Sequence, residues 1–214
     1  MYPKKSPALA GSGINKQMIR ELVRITRTVR RFQEQRTLDP ALLRQWIDCA
    51  RLGGSARNAQ VLKYMLLTEA RQRQALFPLL GWAGYLAEWP GPAPGERPSA
   101  YMVCLQDKGL ACGADKEVYC DLGIATQNFL LAAAEQGVFG CRIGAFSSQA
   151  VHRLLQLDDD YEVLLIIALG YPAEMVSLRE VGPDGDIRYW RDQQGGHHVP
   201  KRPLAALLLD PPAF

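Results

Sequence analysis

The chain has 214 residues, of which 48% are hydrophobic and 22% are charged, and its formal net charge is +3. This composition is ordinary for a globular protein and excludes a disordered, fibrous or membrane-spanning chain, and the length suits one large domain. The small net charge, without a basic stripe interleaved with aromatic residues, predicts no nucleic-acid partner. The longest apolar run, 163–169, is far shorter than the ~20 residues of a membrane helix, so we expect no membrane either.

The cysteines are five in number and form no CxxC pair or metal-like spacing with a histidine. They therefore predict reduced thiols, a cytoplasmic location and no metal site. Residues 1–14 contain two lysines but no apolar segment behind them. We interpret them as a flexible arm rather than a signal peptide, followed by a single domain over residues 15–214.

The first half of the domain predicts three helices and two strands. Asn15 can cap a first helix that runs to Ile25, and Asp39-Pro40 is a strong start signal for a second helix, which Gly53-Gly54 ends. Further elements in this half are a strand over 61–68, a short helix to Leu80, a long connection over 81–98 rich in Pro, Gly and aromatic residues, and a strand over 101–106.

The second half begins with the longest predicted helix, capped by Asp115 and ending at Gly137. It is apolar nearly all round, which is typical of a buried helix. The pattern then predicts an extended segment over 140–146, a helix capped by Ser147 or Ser148, the most hydrophobic strand over 161–170, a hairpin near 186–191 and a tail that wraps another surface. The whole pattern is α+β, with helices outnumbering strands.

A cluster of donors follows the first helix directly, in the sequence Arg-Thr-Val-Arg-Arg-Phe over residues 27–32. Guanidinium groups match phosphate geometry, so Arg27, Thr28 and Arg30 are candidates to hold a phosphate. The alternative is a solvated arginine face. Further polar groups occur as amides at Asn58 and Gln60, glycine-lined backbone at 140–144, and the Lys201-Arg202 pair. Together they suit a cofactor with an anionic end and a planar, amide-like edge.

The motifs of nucleotide-binding loops, serine hydrolases and zinc proteases are absent from the sequence. The chain lacks GxGxxG after a strand, GxxxxGK[ST], GxSxG and HExxH. We expect His152, His197 and His198 to be neutral surface or interface residues and Cys141 to be a small buried hydrophobe.

The order and spacing of four motifs resemble the FMN-dependent nitroreductase family, over about residues 15–207. The motifs are R-S/T-x-R/K-x-F at 27–32, S-x-x-N-x-Q at 55–60, G-x-x-x-I-G-x-F around Ile143-Gly144, and a basic pair near the C-terminus, joined by Gln127-Asn128-Phe129 on the long helix and Gly170-Tyr171-Pro172. The resemblance implies a central, mostly antiparallel sheet flanked by helices, with a C-terminal tail exchanged with the partner subunit.

The resemblance also implies a site. Arg27, Thr28 and Arg30, with Lys201 or Arg202, would meet the ribityl phosphate of FMN. The amides of Asn58 and Gln60 would face the isoalloxazine and ribityl groups. Ile143 and Gly144 would place the Gly144 amide at flavin N5, where a donor stabilises developing charge. No catalytic side chain is implied, and Arg31 has no flavin contact in the family pattern.

The implied function is ping-pong hydride transfer from NAD(P)H to nitroaromatic, quinone or related acceptors, by a homodimer with two FMN sites at its interface. The chain departs from the family pattern at three places. Gly54 stands where the family often has Pro before the Ser, Val61 and Leu62 stand where it often has Pro-Trp after the Gln, and Gly144 stands where some members carry Glu. The aromatic residues of 81–98 are either a lid over the acceptor or packing residues. The alternatives are a specialised flavin enzyme, such as a dehalogenase or a flavin-cleaving enzyme, a non-catalytic FMN-binding protein, and an anion-binding domain without flavin. Without a GxGxxG motif, the sequence does not select NADH or NADPH.

Overall fold

The computed structural model describes residues 16–110 and 113–212, and its centre is a four-stranded antiparallel sheet. The strands lie in the order β1-β2-β4-β3, so β1 and β3 form the two edges. Their bounds are Leu62–Leu67 for β1, Ala100–Asp107 for β2, Phe139–Ile143 for β3 and Tyr161–Gly170 for β4. The expected α+β fold with a mostly antiparallel sheet is therefore confirmed.

The two faces of the sheet bury two hydrophobic layers, as the period of two along each strand requires. On β2, Met102 and Cys104 face one layer, whereas Tyr101 and Val103 face the other. The first layer packs against the helices α2 and α4, where Trp46 meets Phe129 edge to face at 6.0 Å.

Five α-helices surround the sheet in the described part of the chain. They are α1 Lys16–Ile25, α2 Pro40–Arg51, α3 Ala70–Leu76, α4 Asp115–Glu135 and α5 Ser148–Leu155. The side chain of Asp39 caps α2 by accepting from Ala41 N, and Ser147 caps α5 through Ala150 N. At α4 the expectation was wrong, because Ala114 is the cap residue and Asp115 is already helical.

One side of α4 is exposed, which the sequence pattern did not predict. Val118, Leu122 and Phe129 are buried against the sheet, whereas Tyr119 and Ile124 are exposed. The helix α1 packs beside α4 and also exposes apolar side chains, Met18, Ile19 and Val23. The neighbouring helices α1 and α4 therefore both leave apolar side chains uncovered in the single chain.

A second, smaller sheet is built from the C-terminal part of the chain. Its strands are β5 Val176–Glu180, β6 Trp190–Arg191 and β7 His197–Lys201, in the order β5-β7-β6. The hairpin expected near 186–191 is wrong, because β6 pairs with β7. Seven strands and five α-helices in the described residues also correct the expectation that helices outnumber strands. After β7 the chain exposes the leucines Leu204, Leu207, Leu208 and Leu209, and the exchange of this tail with a partner stays a prediction.

The predicted arm over 1–14 and the predicted cap Asn15 lie outside the described residues. The single domain over 15–214 likewise stays a prediction. Among the helices that the structure describes, none combines the length and the apolar character needed to cross a membrane.

Candidate cofactor site

The segment that carries Arg27, Thr28 and Arg30 runs alongside the edge strand β3. Thr28 forms a β-bridge with Gly140, and Val29 N donates to Gly140 O at 3.2 Å. A Cβ at Gly140 would lie 2.8 Å from Ala168 O, so only glycine fits between this segment and β4. The arginine motif is therefore held as an extra extended segment at this edge of the sheet.

Arg27 and Arg30 both keep donors that their neighbours do not use. Arg27 Nη2 donates to Val23 O at 2.6 Å, but its Nε is buried and has no hydrogen-bond partner in the described part of the chain. Arg30 Nε is likewise buried and without a hydrogen-bond partner among the described residues. Burial lowers the pKa of Arg27, which shows that the neighbourhood does not fully compensate its charge. Two such cations suit an anionic ligand.

A buried carboxylate, Glu174, holds the backbone of this motif. Its Oε1 accepts from Arg30 N at 2.5 Å and from Arg31 N at 3.2 Å, and its Oε2 accepts from Arg191 Nη2 at 2.9 Å. The Glu174 side chain is only 1% exposed. Sequence reasoning missed Glu174, because a single Glu after Tyr-Pro-Ala carries no motif and gains its partners only through the fold.

The Arg30 side chain turns toward the second sheet. Its Nη1 lies 3.2 Å from His197 Nε2, and its Cζ lies 4.6 Å from the centre of the Tyr189 ring. His197 and His198 are both buried within the chain, so they are not the surface residues that the sequence allowed, and a place at a subunit interface stays a prediction. Burial lowers the pKa of His197 to about 4, and the charge of Arg30 acts in the same direction, so the ring is neutral near pH 7. Neutral His197 can therefore accept from Arg30.

Arg31 has partners of its own. Its buried Nε also forms no hydrogen bond in the described part of the chain, but it lies at ion-pair distance, 3.4 Å, from Glu96 Oε2, and its Cζ lies 5.9 Å from the centre of the Trp89 ring. This arrangement agrees with leaving Arg31 out of the proposed ligand contacts.

The loop with Asn58 and Gln60 has an unusual backbone. Arg57, Asn58 and Gln60 have φ angles of 55°, 54° and 51°, in the left-handed region that non-glycine residues rarely adopt. Such conformations persist only where surrounding contacts enforce them, and they cluster at functional sites.

Asp121 on α4 enforces this conformation. Ser55 Oγ donates to Asp121 Oδ2 at 2.7 Å, Ala56 N donates to Asp121 Oδ1 at 2.9 Å, and Gln60 N donates to Ser55 Oγ at 3.0 Å. Asp121 is buried and was not predicted as part of the site. The signal in the sequence that could have revealed it was an aspartate on an otherwise apolar face of the long helix, since such a residue needs a partner when it is buried.

Ile143 and Gly144 stand at the far end of β3 from the arginine motif. Ile143 is buried, whereas Gly144 is exposed, and a Cβ built on Gly144 would meet nothing within 4 Å. Gly140 and Gly144 are separated along β3 by about 13 Å, at roughly 3.3 Å per residue. The Gly144 backbone and the arginine motif therefore flank one edge of the sheet.

The other predicted residues lie elsewhere. Asn58 and Gln60 precede β1, at the opposite edge of the sheet. Four strand steps of roughly 4.8 Å separate β1 from the arginine motif beside β3, a distance of about 19 Å. Lys201 ends β7 opposite Glu180, and both Lys201 and Arg202 are exposed. Since His197 is the residue of β7 next to Arg30, Lys201 lies about 13 Å further along the strand. One chain thus brings together the arginine motif and the Ile143-Gly144 edge, but neither the amides nor the C-terminal basic pair.

The aromatic residues of 81–98 mainly pack onto their own chain. The ring centre of Trp82 lies 5.8 Å from that of Phe77 and 6.4 Å from that of Trp89. The Cζ atom of Arg191 lies 4.1 Å from the centre of the Trp89 ring. Tyr85 is exposed, and its ring centre lies 5.0 Å from that of Tyr189, with the two rings tilted by 52°. Of the two interpretations, packing accounts for Trp82 and Trp89.

Cys141 behaves as expected. It is buried, and burial raises the pKa of its thiol to about 11, so the thiol stays protonated near neutral pH. Across residues 16–110 and 113–212, no cluster of His, Cys, Asp and Glu could hold a metal ion.

The fold and the site define an α+β protein in which two arginines with unpartnered donors lie at one edge of the sheet and could bind an anion. Comparison with known proteins identifies the family. The sequence model of the Nitroreductase family matches residues 23–171, more than half of the chain. The chain therefore belongs to the nitroreductase family and is an oxidoreductase by that membership, as its motifs predicted.

Individual relatives agree with this assignment. A curated "Putative NADH dehydrogenase/NAD(P)H nitroreductase" of Methanothermobacter thermautotrophicus is 26% identical over 78% of this chain and 84% of its own length. A putative nitroreductase from Desulfovibrio desulfuricans, solved in complex with FMN, is 20% identical with a TM-score of 0.65, covering 92% of this chain and 98% of that one. The NADPH:FMN oxidoreductase of Vibrio harveyi, complexed with NAD+, is 24% identical with a TM-score of 0.58, covering 73% and 69%.

Proposed function

We propose that the protein binds FMN and uses NAD(P)H to reduce a nitroaromatic, quinone or related small acceptor by ping-pong hydride transfer. The observation that carries the proposal is the pair of half-buried arginines, Arg27 and Arg30, whose buried Nε donors beside β3 have no hydrogen-bond partner in the described part of the chain. Their chemistry fits the phosphate of FMN, and family membership favours the same cofactor.

The chain's own residues would bind and orient the cofactor. Arg27 and Arg30, with the Thr28 hydroxyl, would hold the phosphate, and the Gly144 N–H at the other end of β3 would face the ring. When bound, FMN accepts and returns the hydride, so the protein needs no catalytic side chain. Lys201 or Arg202 would reach the phosphate only after the end of β7 moves or when it comes from a second chain.

We propose further that two copies complete each site. Asn58 and Gln60 lie at the sheet edge opposite the arginine motif, so the amides that meet one FMN would come from the partner subunit. The uncovered apolar surface of α1 and α4 and the exposed leucines of 204–209 support a homodimer, because apolar surface of this kind is usually buried in an interface. The free cysteines Cys49, Cys104, Cys120 and Cys141 support a cytoplasmic location.

Flavin absorbance tests the cofactor and the reaction. We expect the purified protein to be yellow, or to gain bound-flavin absorbance when FMN is added, and anaerobic NADH or NADPH should bleach it. A protein that never binds FMN would contradict the proposal. Binding without bleaching by either nicotinamide would instead establish the non-catalytic alternative.

Complementation between two defective chains tests the shared site. We expect light scattering to give a dimer mass. The double variant Arg27→Ala/Arg30→Ala and the double variant Asn58→Ala/Gln60→Ala should each lose activity, but heterodimers formed from both should regain up to half the wild-type activity per dimer, because one of the two sites is then intact. A monomer mass, or heterodimers without regained activity, would refute the shared site.

A further inference from the structure

A separate cavity of about 190 Å³ lies between α3, β2 and the end of the 81–98 segment. The residues that line it are Glu34, Gln35, Ala70, Arg73, Gln74, Phe77, Arg97, Pro98 and Tyr101. None of these residues lines the groove beside Arg27. The cavity is larger than one water molecule requires, and its walls carry charged and polar groups.

The donors in this cavity lack acceptors. Tyr101 is 1% exposed, yet its hydroxyl has no hydrogen-bond partner among the described residues. Arg97 Nε is also buried and without a hydrogen-bond partner there, while the Arg97 guanidinium lies 4.2 Å from the Phe77 ring centre. Buried polar groups are normally paired, so two orphan donors at one cavity indicate a missing acceptor.

Two charged side chains of the cavity wall, Glu34 and Arg73, are hydrogen-bonded to the backbone. Glu34 Oε2 accepts from Gly95 N at 2.6 Å and from Arg97 N at 3.3 Å. Arg73 donates from Nε to Thr68 O at 3.2 Å and from Nη1 to Pro98 O at 2.9 Å. These bonds hold Arg73 and Glu34 in the cavity wall, and Tyr101 Oη and Arg97 Nε still have no acceptor among the described residues. An occupant with oxygen atoms would supply one.

The charge of the cavity also favours an occupant with oxygen acceptors, namely an anion. Two guanidinium groups face one carboxylate, which leaves a net positive charge. Burial raises the pKa of Tyr101, so its hydroxyl is a neutral donor at physiological pH. We propose that this cavity is a binding site for a small oxyanion, a carboxylate or a phosphate, held by the Tyr101 hydroxyl and the Arg97 guanidinium.

Calorimetric titration of the FMN-saturated protein with acetate and with inorganic phosphate, at constant ionic strength set by chloride, tests this site. Saturating FMN keeps the probes from the arginine motif. We expect saturable binding of at least one probe, and the stronger one identifies planar or tetrahedral geometry as preferred. Tyr101→Phe and Arg97→Gln should each weaken that binding at least tenfold.

Arg71→Gln is the matched control, because Arg71 is exposed on the same helix as Arg73 and does not line the cavity. It should bind the probe as the wild type does. A melting scan guards against misfolding, since Tyr101→Phe removes an orphan hydroxyl and should melt no lower than the wild type in chloride alone. Absence of saturable binding of both probes, or equal binding by Tyr101→Phe, would overturn the proposal.

Discussion

Replacing Arg27 and Arg30 together by alanine should weaken FMN binding by about two to four orders of magnitude. A hydrogen bond to a charged group contributes about 1.5–3 kcal/mol, so two lost cations amount to about 3–6 kcal/mol, with tenfold in affinity for each 1.4 kcal/mol. The effect follows from donors that no protein group uses, namely the buried Nε atoms of both residues. Fluorescence titration of the apoprotein with FMN measures it.

Arg31→Ala is the matched control for this double variant. Arg31 is adjacent in sequence and equally charged, but it faces Glu96 and Trp89. We expect its FMN affinity to stay within about threefold of wild type, since a surface-type ion pair contributes about 0–1 kcal/mol. Unchanged affinity of the double variant, or an equal loss in Arg31→Ala, would remove the arginine motif as the phosphate site.

Glu174→Ala should lower the free energy of unfolding by about 3–5 kcal/mol, the usual cost of removing one partner of a buried ion pair. Without its carboxylate, the Arg191 guanidinium remains buried without that charge partner, and the N–H groups of Arg30 and Arg31 lose their acceptor. Urea denaturation at pH 7 measures the change. Because Glu174 holds the backbone of the arginine motif, we also expect weaker FMN binding.

Two further variants make this experiment specific. Glu174→Gln keeps an amide oxygen for the backbone donors but loses the charge that faces Arg191, so it should fall between wild type and Glu174→Ala. Glu21→Ala removes a carboxylate from an exposed pair with Arg24 and should leave the urea midpoint essentially unchanged. If Glu174→Ala unfolds at the same urea concentration as the wild type, the central role of Glu174 in this cluster is wrong.

Sequence reasoning succeeded where the physical cause is local. The strand over 161–170 was predicted with its observed bounds, because a long β-branched and apolar run between polar residues favours only a buried strand. The start of α2 was predicted because Asp39 and Pro40 act on the next few residues of the chain. The arginine motif was found for a similar reason, as its donors are adjacent in sequence.

Sequence reasoning failed where a residue acquires its role from distant partners. Asp121 lies 65 residues from Ala56, whose N–H it accepts, and Glu174 lies 144 residues from Arg30. The hairpin near 186–191 was wrong for a different reason, since the pairing that forms is also local. It is placed further along the chain, where β6 pairs with β7 across the turn at 192–196.

The sequence by itself determined the α+β class, because caps and hydrophobic periodicity act locally along the chain. The family and the candidate cofactor came from the resemblance that the order of its motifs carries. Only the tertiary structure decided which donors remain unused, which carboxylates hold the arginine motif and the amide loop, and that one chain separates the amides of Asn58 and Gln60 from Arg27. These properties depend on burial and on pairing across the sheet, which residue order does not specify. The cavity at Tyr101 and Arg97 was also visible only in the tertiary structure, since its two unpartnered donors come from separate elements of the fold.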